Sequence, residues 1–117
     1  MPKTIISDTS CLIILSNIGE LQLLQKVYGQ VFTTVEIAQE FGEFLPEWIV
    51  IKGAADIYKQ QLLELQIDKG ESSAIALALE MSNATLILDD NKARKIANQL
   101  GLHVTGTIGI IVRAKLN

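Results

Sequence analysis

Cysteine occurs once in this chain, at Cys11, so an internal disulfide and a cysteine-based zinc site are both excluded. Cys11 sits in an apolar run and reads as a small buried hydrophobe. Histidine also occurs once, at His103, far in sequence from any nucleophilic partner, and is read as structural. Prolines number two and aromatics make up 5% of the residues. No apolar run approaches the ~18 residues that a membrane span needs, so no membrane partner is expected. The N-terminus lacks the basic patch, long apolar core and cleavage site of a secretory signal, and a cytoplasmic protein is expected. No G-x-G-x-x-G and no Walker A pattern occurs, which removes the dinucleotide and P-loop readings. There is no repeat, low-complexity tract or linker. After Asp90 there is no acidic residue, whereas Lys92, Arg94, Lys95, Arg113 and Lys115 all follow it.

What is present is ordinary for a globular domain. The 117 residues suffice for one core, 49% are hydrophobic and 20% charged, and the net charge of −3 argues against a plain basic nucleic-acid coat. The basic residues after Asp90 form either a solvated helix face or a rim able to hold a phosphate backbone.

Strand and helix patterns alternate along the chain. Residues 3–7 read as a strand, 9–16 and 19–28 as helices, 30–34 as a strand and 35–41 as a helix ended by Gly42. After Pro46, "WIVIK" reads as a strand and 55–65 and 71–81 as helices. "ATLILDD" is a strand running into two acids, followed by the helix "NKARKIANQLG", the strand "LHVTG" and the terminal helix "TIGIIVRAKL". Such alternation predicts an α/β fold with a parallel sheet covered on both faces. In that architecture the working site lies beyond the carboxyl ends of the strands. Asp8 ends one strand and Asp89-Asp90 another, so two strands deliver acids to one edge.

Each acid also has a structural explanation. Asp8 can cap the helix that follows, and Asp89 or Asp90 the helix from Asn91. Glu71 lies in a first helical turn, where the macrodipole favours a carboxylate. "TTVE" fits a capping box with Thr33 as the cap and Glu36 as its partner. That leaves Glu40, one turn on, as the likelier functional residue. Capping accounts for acids at helix starts, but not for their convergence on one rim. Gathered carboxylates repel unless a cation neutralises them, and hard oxygen donors without histidine or cysteine suit Mg²⁺ or Mn²⁺. "TGTIG" (105–109) is either a phosphate-binding helix start or a plain strand-to-helix turn.

The blocks "IISDTSCLIIL", "VEIAQEF", "DKGESSAIALALE" and "LILDDNKARKIANQLGLHVTGTIGII" resemble the PIN-domain proteins. The closest likeness is to the short prokaryotic branch found in toxin–antitoxin operons (VapC-like, DUF3368-like). That resemblance implies a three-layer α/β/α sandwich with a central parallel sheet, formed as a single domain over 1–117. It implies a metal-dependent endoribonuclease using Mg²⁺ or Mn²⁺, the toxin-like member of a toxin–antitoxin pair, with RNA and a small cognate antitoxin protein as partners. By position, the site acids are Asp8, Glu40, Glu71 and Asp90, with Asp89 as a further metal partner. Ser10 is the small polar residue beside Asp8 that orients a metal ligand, and Lys92, Arg94 and Lys95 are the RNA-holding cations. The third acid has an ambiguous register: two places later the chain carries Ser73. Similar sequences continue beyond Asn117, and a missing C-terminal element would expose apolar surface at 108–112 that a homodimer could cover. The rivals are a catalytically inactive PIN-like module binding RNA or a protein, and a phosphoacceptor of response-regulator type. The latter needs a lysine at the end of the last strand, where the chain reads Val104-Thr105-Gly106.

Overall fold

The computed structural model describes residues 4–116; Lys3, the start of the predicted first strand, and Asn117 lie outside the described residues. Five strands, β1 (Thr4–Ile6), β2 (Gln30–Thr33), β3 (Ile49–Ile51), β4 (Ala84–Ile87) and β5 (His103–Thr105), form one sheet. Its order is β3-β2-β1-β4-β5 and every pairing is parallel. Seven helices flank it: α1 (Thr9–Asn17), α2 (Leu23–Val27), α3 (Val35–Phe41), α4 (Ile57–Leu63), α5 (Lys69–Glu80), α6 (Asn91–Gln99) and α7 (Thr107–Leu116). This is the α/β/α sandwich that the alternation predicts.

The central strands are unbroken apolar runs because both of their faces are covered. Ile5, Ile6, Leu86, Ile87 and Leu88 are fully buried. Helix α5 is the most enclosed, with Ser72 through Ala78 all buried, and α3, α4 and α6 pack around it. Its Ser and Ala side chains let those neighbours approach closely. On another flank α7 packs against α2 and α1.

Chain order runs outward from β1 through β2 to β3, then returns to β4 and leaves the other way to β5. The connections therefore diverge between β1 and β4, which opens a crevice at their carboxyl ends. The segments following those two strands carry Asp8 and Asp89-Asp90.

Several predicted boundaries move, each for a local reason. The helix predicted over 19–28 shrinks to α2, because Gly19 takes a left-handed φ of 69° and the chain turns again before Leu23. The helix predicted from Glu71 begins at Lys69, capped by Asp68, whose carboxylate accepts from the Glu71 N–H. The α3 cap is Thr34, which accepts from the Ile37 N–H, and not Thr33. Thr33 is instead buried and donates its hydroxyl to the Ser7 carbonyl. The capping box of Thr33 and Glu36 is therefore absent, and the Glu36 carboxylate accepts from the Gln60 amide at 2.7 Å. The apolar residues 108–112 divide by helical face: Ile110 is buried, while Ile108 and Val112 are exposed.

Candidate active site

At the carboxyl edge of the sheet lies a cavity of about 250 Å³ lined by Asp8, Thr9, Ser10, Glu40, Asp68 and Glu71, with Ile13 as its apolar wall. Three segments distant in sequence build it: the β1–α1 junction, α3 and the start of α5.

Asp8 is 5% exposed and anchors the cavity. One carboxylate oxygen accepts from the Cys11 N–H at 2.9 Å, which caps α1, and the other accepts from the Asp89 N–H at 3.2 Å. The second bond ties the ends of β1 and β4 together across the crevice. Among the described residues no cationic side chain lines the cavity, and burial pushes the Asp8 carboxyl up to about 6, with the Asp89 charge adding to the rise. Burial likewise raises Glu71 to about 7, and the neighbouring charges of Asp68 and Asp90 push the same way. Cys11 lies beneath the site, buried as expected, its thiol pushed up to about 12 chiefly by burial. It is no nucleophile there.

Glu40 reaches the same mouth from α3, where its carboxylate accepts the Thr9 hydroxyl. Gly70 makes this approach possible. A Cβ at Gly70 would stand 3.2 Å from the Glu40 carboxylate and 3.5 Å from Ile37 Cγ1. The first turn of α5 thus packs against α3 without a side chain between them.

The two candidate positions for the third acid part in space. Glu71 lines the cavity, whereas Ser73 is buried, bonded to the Thr34 hydroxyl at 2.6 Å and to the Gly70 carbonyl at 2.6 Å. Ser10 lies on the cavity wall. Sequence reasoning missed Asp68; its signal is the Asp-x-x-Glu spacing of Asp68 and Glu71, a helix-start pattern.

The two acids after β4 have separate tasks. Asp90 accepts from the Ala93 N–H and caps α6, and it stands outside the cavity lining while its charge still reaches Glu71. Asp89 accepts both the N–H and the hydroxyl of Thr107, at 3.0 and 2.6 Å. The start of α7 in "TGTIG" is therefore occupied by the protein's own carboxylate. Of the three cations expected on the rim, Lys92 and Lys95 are exposed, while Arg94 is half-buried and donates to the Leu88 carbonyl at 2.9 Å. Arg94 serves the turn between β4 and α6.

Among the described residues, no three acidic, histidine or cysteine side chains converge as a ready-made metal cage. The acids share a mouth and do not close on a point. The donor set still fits a hard divalent ion, since Mg²⁺ commonly takes one or two protein carboxylates and keeps several waters. Asp8, buried, and Glu71, half-buried, face no cation in the cavity and are the groups such an ion would relieve.

The fold and the acids together pair a parallel sandwich with carboxylates at its switch point. A family model, DUF3368, described as a PIN domain, matches residues 4–117. The chain belongs to the PIN-domain family. The PIN domain is a fold of nuclease type, and the match spans every strand, every helix and all the acids of the cavity. A search of curated proteins finds no match to the chain.

Proposed function

We propose that this PIN domain is a metal-dependent endoribonuclease that hydrolyses phosphodiester bonds in RNA, the toxin-like member of a toxin–antitoxin pair. The observation that carries the reading is Asp8. It is buried at the switch point, bonded across it to the end of β4, and left without a cationic partner in a cavity that Glu40 and Glu71 share. A strand end that serves only as a helix cap has no need of further carboxylates facing it.

In this reading Asp8 and Glu71 hold Mg²⁺ or Mn²⁺, with Asp90 and Glu40 supporting from the rim and Asp89 joining β4 to Asp8. The ion supplies a lowered pKa for bound water and charge stabilisation at the scissile phosphate. Glu40, held by Thr9, and Ser10 orient the water and the ligands around Asp8. Buried between two backbone N–H groups, the Asp8 carboxylate keeps a fixed direction, and preorganisation of this kind spares reorganisation during reaction. Lys92 and Lys95 hold the RNA backbone, so affinity falls with salt. A homodimer and a small antitoxin are the protein partners of this reading, and the exposed Ile108 and Val112 of α7 offer apolar surface to a second copy.

One observation favours a second reading, an inactive module that binds RNA or protein without cleaving. Asp68 and Asp90 already spend their carboxylates as helix caps. RNA cleavage with and without Mn²⁺, in wild type and Asp8→Asn, decides between them. The nuclease reading expects Mn²⁺-dependent cleavage that the substitution removes. Equal cleavage by both proteins refutes it, and no cleavage combined with intact RNA binding supports the module.

A further inference from the structure

A second cavity, of about 480 Å³, shares no lining residue with the first and runs from the amino end of β4 along β5. Tyr28, Asn83, Thr85, His103, Thr105 and Arg113 line it, with Val104 as its apolar member. The register pairs Thr85 with His103 and Ile87 with Thr105, so these four project from one face of the sheet, three of them polar and Ile87 buried. The opposite face of the same strands carries Ala84, Leu86 and Val104, all apolar, with the half-buried Val104 also bordering the cavity at the sheet edge. A polar strip on an α/β sheet beside a helix is unusual, because the covering helix normally demands apolar contacts. Here α7 packs toward α2 and α1, and the strip opens into the cavity. The first turn of α7 is itself fitted to the strip. A Cβ at Gly109 would fall 2.7 Å from the Thr105 hydroxyl, so only glycine lets that hydroxyl remain in place.

Apart from Val104, the lining side chains all carry hydrogen-bond donors. Arg113 presents a guanidinium whose Nη1 stands 3.4 Å from the hydroxyl of Tyr28, a residue 2% exposed. Its neighbour on α7, Lys115, pairs with Glu20 at 4.0 Å, whereas Arg113 makes no ion pair among the described residues. Two threonine hydroxyls, the Asn83 amide and the His103 imidazole complete the set. Among the described residues no carboxylate lines the cavity, although the chain has 13 acidic residues and a net charge of −3. Donors arriving from β4, β5 and α7 suit the three terminal oxygens of a phosphate monoester better than a planar carboxylate. The guanidinium fork supplies the bidentate contact. The volume falls in the ~300–1,000 Å³ range of small-ligand sites, enough for a nucleoside beside the phosphate.

We propose that this cavity is a second binding site, taking a phosphate monoester of mononucleotide size with its phosphate on Arg113, Thr85 and Thr105. The proposal stands apart from the nuclease reading, since it uses none of the acids. The test titrates the full chain, without divalent metal, with inorganic phosphate, adenosine 5′-monophosphate and a short RNA lacking terminal phosphates. Amide shifts of Thr85, His103 and Thr105 are the readout. Saturable shifts with phosphate and tighter ones with the nucleotide are expected. Arg113→Met, at an exposed position, weakens both by about tenfold, Thr85→Val weakens both less, and Asp8→Asn leaves both unchanged. Absence of saturable shifts, equal binding by Arg113→Met, or loss of binding in Asp8→Asn overturns the proposal. Shifts with the unphosphorylated RNA alone also overturn it, because they assign the cavity to a backbone diester.

Discussion

The two cavities are built from opposite chemistry. The carboxyl-end cavity is lined by four acids and no base, and it lies where the connections diverge. The second cavity, along β5, is lined by polar side chains and Val104 and by no acid. In the first, burial leaves like charges unrelieved and raises Asp8 and Glu71. In the second, the one guanidinium has a neutral phenol for company. An anionic chain thus keeps an acid-lined pocket beyond the carboxyl ends of its strands apart from a pocket without carboxylates along β5 and the amino end of β4. A side chain's role here depends on which cavity its strand delivers it to.

The largest expected effect breaks the first pocket and spares the second. Asp8→Asn lowers Mn²⁺-dependent RNA cleavage by about a hundredfold or more, measured under single-turnover conditions, while the Asn oxygen can still cap α1 and the fold persists. Nucleotide binding at Arg113 should not move.

Next comes a pH dependence confined to the acid pocket. The folded-state pKa of Asp8 is raised, so its stabilising contribution is complete below its unfolded value and is lost as pH rises through about 6. Without metal, the stability gap between Asp8→Asn and wild type therefore widens in favour of the variant from pH 4 to pH 7.5, by roughly 2 kcal/mol. Denaturant melts at both pH values measure it, and saturating Mn²⁺ should narrow the gap.

Gly70→Ala tests how tightly α3 and α5 must meet. Alanine is the better helix former, yet its Cβ would press on the Glu40 carboxylate at 3.2 Å. Cleavage should fall about tenfold through misplacement of Glu40, with a melting temperature close to wild type; unchanged cleavage would show that Glu40 is not needed there. The smallest effect is expected from Lys92→Gln with Lys95→Gln. RNA affinity falls modestly, and the slope of log affinity against log salt becomes shallower by about 1.5 for the pair, with metal binding unaltered.

Much of the frame was legible along the chain. Unbroken runs such as Ile5-Ile6 and Leu86-Ile87-Leu88 mark buried parallel strands, and the alternating pattern orders every helix between them. Asp8 was legible as a candidate because it follows a strand, and Glu71 because the family likeness falls on it at a helix start. Glu40 was reached by the same likeness and by setting Glu36 aside as a capping partner, a premise the structure removes. Other assignments failed at the scale of one residue. Thr33 and Thr34 are equally good caps by type, and only the register of β2 turns Thr33 inward to Ser7 and leaves Thr34 to cap α3. Arg94 reads as a surface cation beside Lys92 and Lys95, but the turn after β4 folds back so that its guanidinium reaches the Leu88 carbonyl. His103 reads as structural, yet it is exposed and lines the second cavity, since strand pairing sets it beside Thr85.

The sequence by itself determined the class of fold, the order of elements and which strand ends carry acids, because hydrophobic period and turn residues act locally. Only the tertiary structure decided which acids share a mouth. Asp68 joined the cavity, and Asp89 was drawn away to Thr107. The donors of the second cavity likewise come from four distant stretches. Such groupings depend on crossover connections and on close contacts such as that at Gly70, and these bring together residues that no local pattern relates.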